Sequence, residues 1–395
     1  MMKAPKGKAR RRKAVMFLLL GFLFLFGKTV SVFGAGENPA QETDTKEELL
    51  EDTDLQEVQK LVDQMLEGNR FDLEETIRGF MTGEVPFTKE AAGQMLQQIL
   101  FSQWDEEKGI FLQILLLVLA ASLLGNLSRA FEGGQIGEIA FYILYLLLFV
   151  FLVESFSSLS LHLENRLLMI QTFMQALAPA YFIAVTAASG VSTAVVFYQM
   201  ALFLIWLIQW ALVNLLLPTA NLYVLLKLVN YLSKEEMLSK LAELLKTFIS
   251  WGIRTMLGIV IGMQVIQGMV TPIMDSLKRS ALGKTAGAIP GVGNAINAVT
   301  EIVLTSAVLV RNCMGVTFLV VLILWGITPI IRYGITSLLY RLLAALVQPV
   351  SDSRIVGCLT TMGEGCSILL QILFTAQVMC MLTIAILTVS FGGGT

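Results

Sequence analysis

From Ile110 onward the chain is a succession of long apolar runs separated by short polar breaks. The runs near 110–128, 136–156, 248–270, 302–331 and 366–391 each suffice, as helices, to cross a hydrocarbon core of roughly 30 Å, which takes about 20 residues. Residues 171–230 are apolar almost throughout and are punctuated only by Ser189-Gly190 and Pro218, so they hold two long spans or three short ones. Lipid leaves no backbone polar group satisfied outside a helix or a closed barrel, so the pattern predicts an all-α, polytopic helical membrane protein. Residues 335–349 read as an interfacial or re-entrant helix. Before residue 110 the pattern changes. Thr45-Lys46-Glu47-Glu48 has capping-box form, Asp54 offers a second cap, and Val58, Leu61, Val62, Met65 and Leu66 make one apolar stripe. Thr88 caps a further predicted helix carrying Met95, Leu96, Ile99 and Leu100. The expectation is a small helical domain over 35–109, either docking onto a partner or serving as an acidic spacer.

Composition agrees: 55% of residues are hydrophobic, 15% are charged, and the mean hydropathy is +0.73. Charge then divides the chain. Lys3, Lys6, Lys8, Arg10, Arg11, Arg12 and Lys13 precede an apolar run from Ala14 to Gly27, so residues 1–34 read as a signal peptide, with cleavage after Gly34, or as an uncleaved signal anchor. Either outcome exports residues 35–109, which hold 19 acidic and 6 basic side chains, against 11 and 14 in the bundle 110–395. A basic segment that directs membrane insertion is not a nucleic-acid site. Taking three spans in 171–230 puts Arg129, Lys227, Lys234, Lys240, Lys246, Arg332, Arg341 and Arg354 inside. That charge bias favours about eight spans, with residues 271–300 and the C-terminus outside.

Ser233-Lys234-Glu235-Glu236 is another capping box. Residues 233–247 read as an amphipathic helix at the cytoplasmic surface, with Met237, Leu241, Leu244, Leu245 and Phe248 on one face. Its Lys234, Lys240 and Lys246 make it a candidate docking helix, or one that simply rests at the headgroups. Gly258-x-x-x-Gly262 is a candidate close-packing pair. The Gly/Pro-rich stretch 283–294, GKTAGAIPGVGN, is not a phosphate loop, because Lys278 stands where the first glycine belongs and no strand precedes it. Its Gly291-x-Gly293 has Ile296 in place of a third glycine, so it is no dinucleotide fingerprint either. It reads as a break between two membrane helices. His162 is the sole histidine, and the spacing of Cys313, Cys358, Cys366 and Cys380 fits no metal pattern, so the cysteines read as small buried hydrophobes. No catalytic residue, metal site or cofactor emerges.

Polar residues inside apolar runs cost several kcal/mol unless protein or water meets them. Glu301, Thr305 and Asn312 recur at helical spacing, with Arg311 beside them and Asn294 and Asn297 just before. With Gly283, Lys284, Pro290 and Gly293 these are candidates for an aqueous path or gate; pairing with neighbouring helices is the other reading.

The chain resembles the stage III sporulation protein AE family over essentially its whole length. The resemblance is carried by LAPAYFIAVTAASG (177–190), KLAELLK, QVIQG, the run from Lys284 through Pro290 to Gly293, SAVLVRNCMGV with Arg311-Asn312, and YRLLAALVQP. It implies a membrane component of a secretion-like channel complex linking mother cell and forespore during endospore formation. The implied site is the mother-cell membrane around the forespore, with residues 35–109 in the intermembrane space. The implied partners are the other stage III sporulation proteins AA to AH and stage II sporulation protein Q; the bilayer is the remaining partner, and no cofactor is implied. A stand-alone permease for a small solute and a non-conducting scaffold are the alternatives.

Overall fold

The computed structural model describes residues 55–66, 71–82, 109, 111–116, 118–120, 123, 135–189, 203–232, 238–286 and 293–389. Among them there is no strand. The signal segment 1–34, the helix expected after Thr88, Lys234 and Pro290 lie outside the described residues.

Two short helices come first. In α1 (Gln56–Met65) the predicted stripe forms, with Val58, Val62 and Met65 buried. A second helix, α2 (Leu73–Thr82), was not expected. Asp72 caps it, its Oδ1 accepting the Glu75 backbone N–H at 3.0 Å, and Glu75 completes a capping-box spacing. Gln59 clasps the connection: Nε2 donates to Phe71 O at 2.7 Å, and Oε1 accepts the Leu73 N–H at 2.9 Å. The buried side of this pair rests on the chain itself, α1 against α3 and α2 against α6 as defined next.

The bundle consists of α3 (Gln135–Ser189), α4 (Leu217–Leu232), α5 (Ser239–Ala286), α6 (Gly293–Val347) and α7 (Ser353–Val389). A π-helical turn, Leu212–Leu216, joins α4 to helical residues 203–211. Five helices among the described residues are long and apolar enough to cross a membrane: Tyr142–Leu177, Phe203–Tyr231, Ser239–Gly262, Val308–Val347 and Ser353–Ala385. A shorter apolar helix, Phe111–Ala120, falls in the expected first span.

Three expectations change. Residues 171–189 continue α3, and residues 203–230 lie in the next described helical stretch. Pro218 is no break, because the π turn pairs Leu217 N with Leu212 O, an i to i−5 bond that reroutes the ladder just before the proline. The polar stretch 154–166 does not interrupt α3, which stays helical because Leu159, Leu163 and Leu167 keep one side buried through it. Nor do residues 335–349 form a separate interfacial helix. They continue α6 through Pro329, since Phe318, Leu322 and Trp325 before the proline and Tyr333, Tyr340 and Leu343 after it are all buried.

Successive helices run antiparallel. Phe156 and Val224 approach one glycine of α7, whereas Gln209 Nε2 donates to Leu167 O, so α3 rises as α4 descends. Against α3, α6 pairs Tyr340 with Ser155 and Phe318 with Phe173, the latter an edge-to-face contact with ring centroids 6.3 Å apart. Among the described helices, the interface of α6 with α7 is the most extensive. There Gly326 admits the side chain of Gln377, which donates from Nε2 to Leu322 O, and Gly315 faces Thr388.

Candidate functional site

At one level of the bundle every long helix contributes a polar group. Ser155 of α3 lies 2.9 Å, oxygen to oxygen, from the Tyr340 hydroxyl of α6, and Tyr333 Oη donates to Leu159 O at 2.8 Å. Ser337 of α6 donates to Gly363 O of α7 at 2.8 Å. On the next residue, Glu364, Oε2 accepts from Tyr223 Oη of α4 at 2.7 Å and from Lys246 Nζ of α5 at 2.6 Å. Lys246 Nζ also sits 5.7 Å from the Tyr223 ring centroid. Glu154 and Arg332 lie on this level too, lining a cavity of about 240 Å³ between α3 and α6 together with Ser155, Ser158 and Thr336.

Exposed apolar side chains of α3 and α5 flank the level, together with the exposed Lys240, Glu243 and Arg254 on α5. On α3 the exposed Ile139, Ile143 and Val150 lie to one side and Leu161 and Leu168 to the other; on α5 the exposed Leu241 and Leu244 precede Lys246 and Ile259 and Ile261 follow it. A charge among apolar side chains is costly, and charge-assisted hydrogen bonds offset that cost. Glycines allow the approach. A Cβ at Gly363 would stand 3.2 Å from the Ser337 carbonyl oxygen, and one at Gly365 would stand 2.6 Å from Val224 and 2.7 Å from Phe156. Glu364 is thus delivered between two points where α7 touches its neighbours almost backbone to side chain. The arrangement is an ionic clasp, in which a single carboxylate oxygen ties α4, α5 and α7.

The residues singled out in the sequence fare differently. Arg311 is fully buried among α6 contacts, with Nη2 3.2 Å from Asn312 Oδ1. Glu301 and Thr305 share its helix, and Gly293 is that helix's first residue. Gly283 and Lys284 belong to α5, which runs to Ala286, so the break is shorter than 283–294. Gly258 and Gly262 have nothing among the described residues within 4 Å of where a Cβ would stand; they pack against no described helix. The amphipathic segment 233–247 is not a separate surface helix. From Ser239 it is the first part of the 48-residue α5, since Ala242, Ile249 and Ile253 bury one continuous face. Its expected apolar face is turned outward at Leu241 and Leu244. Lys240 is exposed and pairs with Glu243 at 3.3 Å, whereas Lys246 turns inward to Glu364. All four cysteines are buried, and Cys358 Sγ lies 3.2 Å from Tyr145 Oη.

Glu364, Tyr223 and the Glu154–Arg332 cavity escaped the sequence reading. One signal was available: Glu364 is the sole charge between Arg354 and the C-terminus, and glycines flank it.

Known proteins resemble this chain at the level of sequence. No solved structure matches it. Stage III sporulation protein AE of Bacillus subtilis (strain 168) is 23% identical over 381 residues, covering 94% of this chain and 96% of that protein. The profile of the family described as Stage III sporulation protein AE (spore_III_AE) matches residues 71–390, from the start of α2 to the end of α7. A match over that much of the chain means that it belongs to the stage III sporulation protein AE family.

Proposed function

We propose that this sporulation membrane protein is a channel or export-gate-like subunit of the secretion-like complex linking mother cell and forespore, needed for late forespore gene activity. The proposed setting is the mother-cell membrane surrounding the forespore, with residues 35–109 in the intermembrane space. There it would meet stage III sporulation proteins AA to AH and stage II sporulation protein Q. The observation that carries the reading is the ionisable level flanked by exposed apolar side chains. A passive anchor gains nothing from a Glu364–Lys246–Tyr223 clasp and a Glu154–Arg332 cavity there, whereas intramembrane ionisable groups accompany ion and substrate paths.

The antiparallel order of α3 to α7 supports a topology of one span near 110–128 followed by five. In it α3 counts once where the charge pattern alone counts two, and the helical stretch 203–232 stands for the other two spans expected in 171–230. Lys227, Lys240, Lys246, Arg332, Arg341 and Arg354 still gather toward a single end of the bundle, the cytoplasmic one by the positive-inside rule. Arg311 and Asn312 remain the path candidates nearer the other end, together with Glu301, Thr305, Gly283, Lys284, Pro290 and Gly293.

The test replaces the clasp without leaving a buried charge. A strain carrying Lys246→Met with Glu364→Gln should make and insert the protein normally yet lose expression from a late forespore reporter. Full reporter activity in that strain would remove the level from the function. The cavity favours the permease reading as well; that reading requires the chain, reconstituted alone, to show saturable uptake of a solute.

A further inference from the structure

Between Leu159 and Phe173 four contacts fix the height of α3 against its neighbours. On α6, Tyr333 bonds to Leu159 O, the Trp325 ring centroid lies 5.1 Å from the Arg166 guanidinium, and Phe318 packs on Phe173. On the helix that leads into α4, Gln209 donates to Leu167 O. The side chains that these two helices turn outward at this height are apolar: Phe203, Trp206, Leu207 and Trp210 around Gln209, and Ile323 between Phe318 and Tyr333. They belong to the candidate membrane spans Phe203–Tyr231 and Val308–Val347, and exposed aromatic and branched side chains there suit hydrocarbon.

The outward face of α3 is unlike them. Glu154, Ser158, His162, Asn165, Thr172 and Gln175 are all exposed and recur at steps of three, four or seven residues, so they share one side of the helix for about 30 Å. Leu161 and Leu168, also exposed, border that side. Thr172 donates to Leu168 O at 3.1 Å, but Ser158, His162 and Asn165 make no hydrogen bond among the described residues. Asn214, Arg254 and Gln371, exposed on other helices, stand singly among apolar neighbours, and Asn214 bonds back to Trp210 O at 3.0 Å. A hydroxyl, an imidazole and a carboxamide left against hydrocarbon without a partner are costly, and water removes that cost. Ser158 also lines the recess of about 240 Å³ between α3 and α6, so the polar face continues onto Glu154, Ser155 and Arg332. A partner helix laid along α3 would leave that indentation open, whereas water follows its contour.

We propose that the Ser158–His162–Asn165 face of α3 is a water-bearing wall within the membrane. The bundle is then two-sided at this height: hydrocarbon covers Trp206, Leu207, Trp210 and Ile323, and water covers α3. The inference stands apart from the channel reading, because a water-filled recess exists equally in a protein that conducts nothing.

The test uses membranes from sporulating cells that make the full chain with one of Ser158→Cys, His162→Cys, Asn165→Cys, Leu207→Cys or Ile323→Cys. All five positions are exposed, so the core is untouched, and the four native cysteines are buried, so the unsubstituted chain gives the background. The probe is a methanethiosulfonate bearing a sulfonate, which travels only in water and reacts with thiolates. Each rate, followed by peptide mass spectrometry, is taken relative to that of the same chain denatured in detergent. The three α3 positions should react at least about tenfold faster than the other two, since a thiol facing hydrocarbon holds its proton by at least about one unit more than one in water. Rates on α3 that do not exceed those at Leu207→Cys and Ile323→Cys overturn the proposal. So does copper-catalysed disulfide formation between two copies through Ser158→Cys or His162→Cys in place of modification, which would put a second copy of this chain on the face.

Discussion

Two pairs of glycines have opposite surroundings. Gly258 and Gly262 carry the spacing associated with helix pairing in membranes, and among the described residues nothing comes within 4 Å of where a Cβ on either would stand. Gly363 and Gly365 lack that spacing, yet α7 meets α6 at the first and both α3 and α4 at the second. The difference is one of position around the helix axis. On α5 the buried positions are Ala242, Ile249, Ile253 and Val260, and residues 258 and 262 project from another side. On α7, which neighbours cover on several sides, either side of Glu364 has a helix to accommodate. Spacing reports that two small residues share a face; only packing tells whether that face has a neighbour.

Substitutions test the contrast. The largest effect belongs to Gly365→Val, whose side chain would overlap Val224 and Phe156 and cost about 3 kcal/mol of overpacking. Thermal unfolding of the purified protein in detergent should show this as a much lower midpoint, and an unchanged midpoint would mean the three helices are not that close. Next comes the clasp held between those glycines. Lys246→Met leaves Glu364 with the Tyr223 hydrogen bond and the more distant Lys227 charge and should cost about 1 to 2 kcal/mol, moderated by the partial exposure of both side chains, 43% and 33%. Adding Glu364→Gln should recover most of that loss, and additive losses in the double variant would deny the coupling. The smallest effect belongs to Gly258→Ala and Gly262→Ala, each neutral or stabilising by up to about 1 kcal/mol through helix propensity. A clear loss at either in the isolated chain would reveal a neighbour on that face.

How much of this was legible in the sequence follows from what each signal measures. Hydropathy identified the membrane class and the long helices, because apolar length is an intrinsic property of a segment. The α1 stripe was equally local. The capping box of α2, Asp72 to Glu75, was just as readable and was passed over among so many acids. The continuity of α3 and α6 was hidden, because polar stretches and prolines break a helix only where tertiary packing fails to hold it. Leu159, Leu163 and Leu167 in one helix, and Trp325 and Tyr333 in the other, supply that packing from residues remote in sequence. The sequence marked Arg311 as a path candidate, and the structure buries it. The clasp stayed unseen because Tyr223, Lys246 and Glu364 belong to three different runs, and no periodicity joins them.

The two 55-residue helices carry a mechanical implication. At about 1.5 Å per residue each is roughly 80 Å long, against a hydrocarbon thickness of roughly 30 Å, so much of each must stand clear of the lipid interior. The α1–α2 pair rests on both of them. A loop between membrane and aqueous parts would absorb a displacement; an unbroken helix passes it on as tilt or rotation. Whatever grips this protein on one side of the bilayer therefore holds a lever whose other arm reaches the ionisable level.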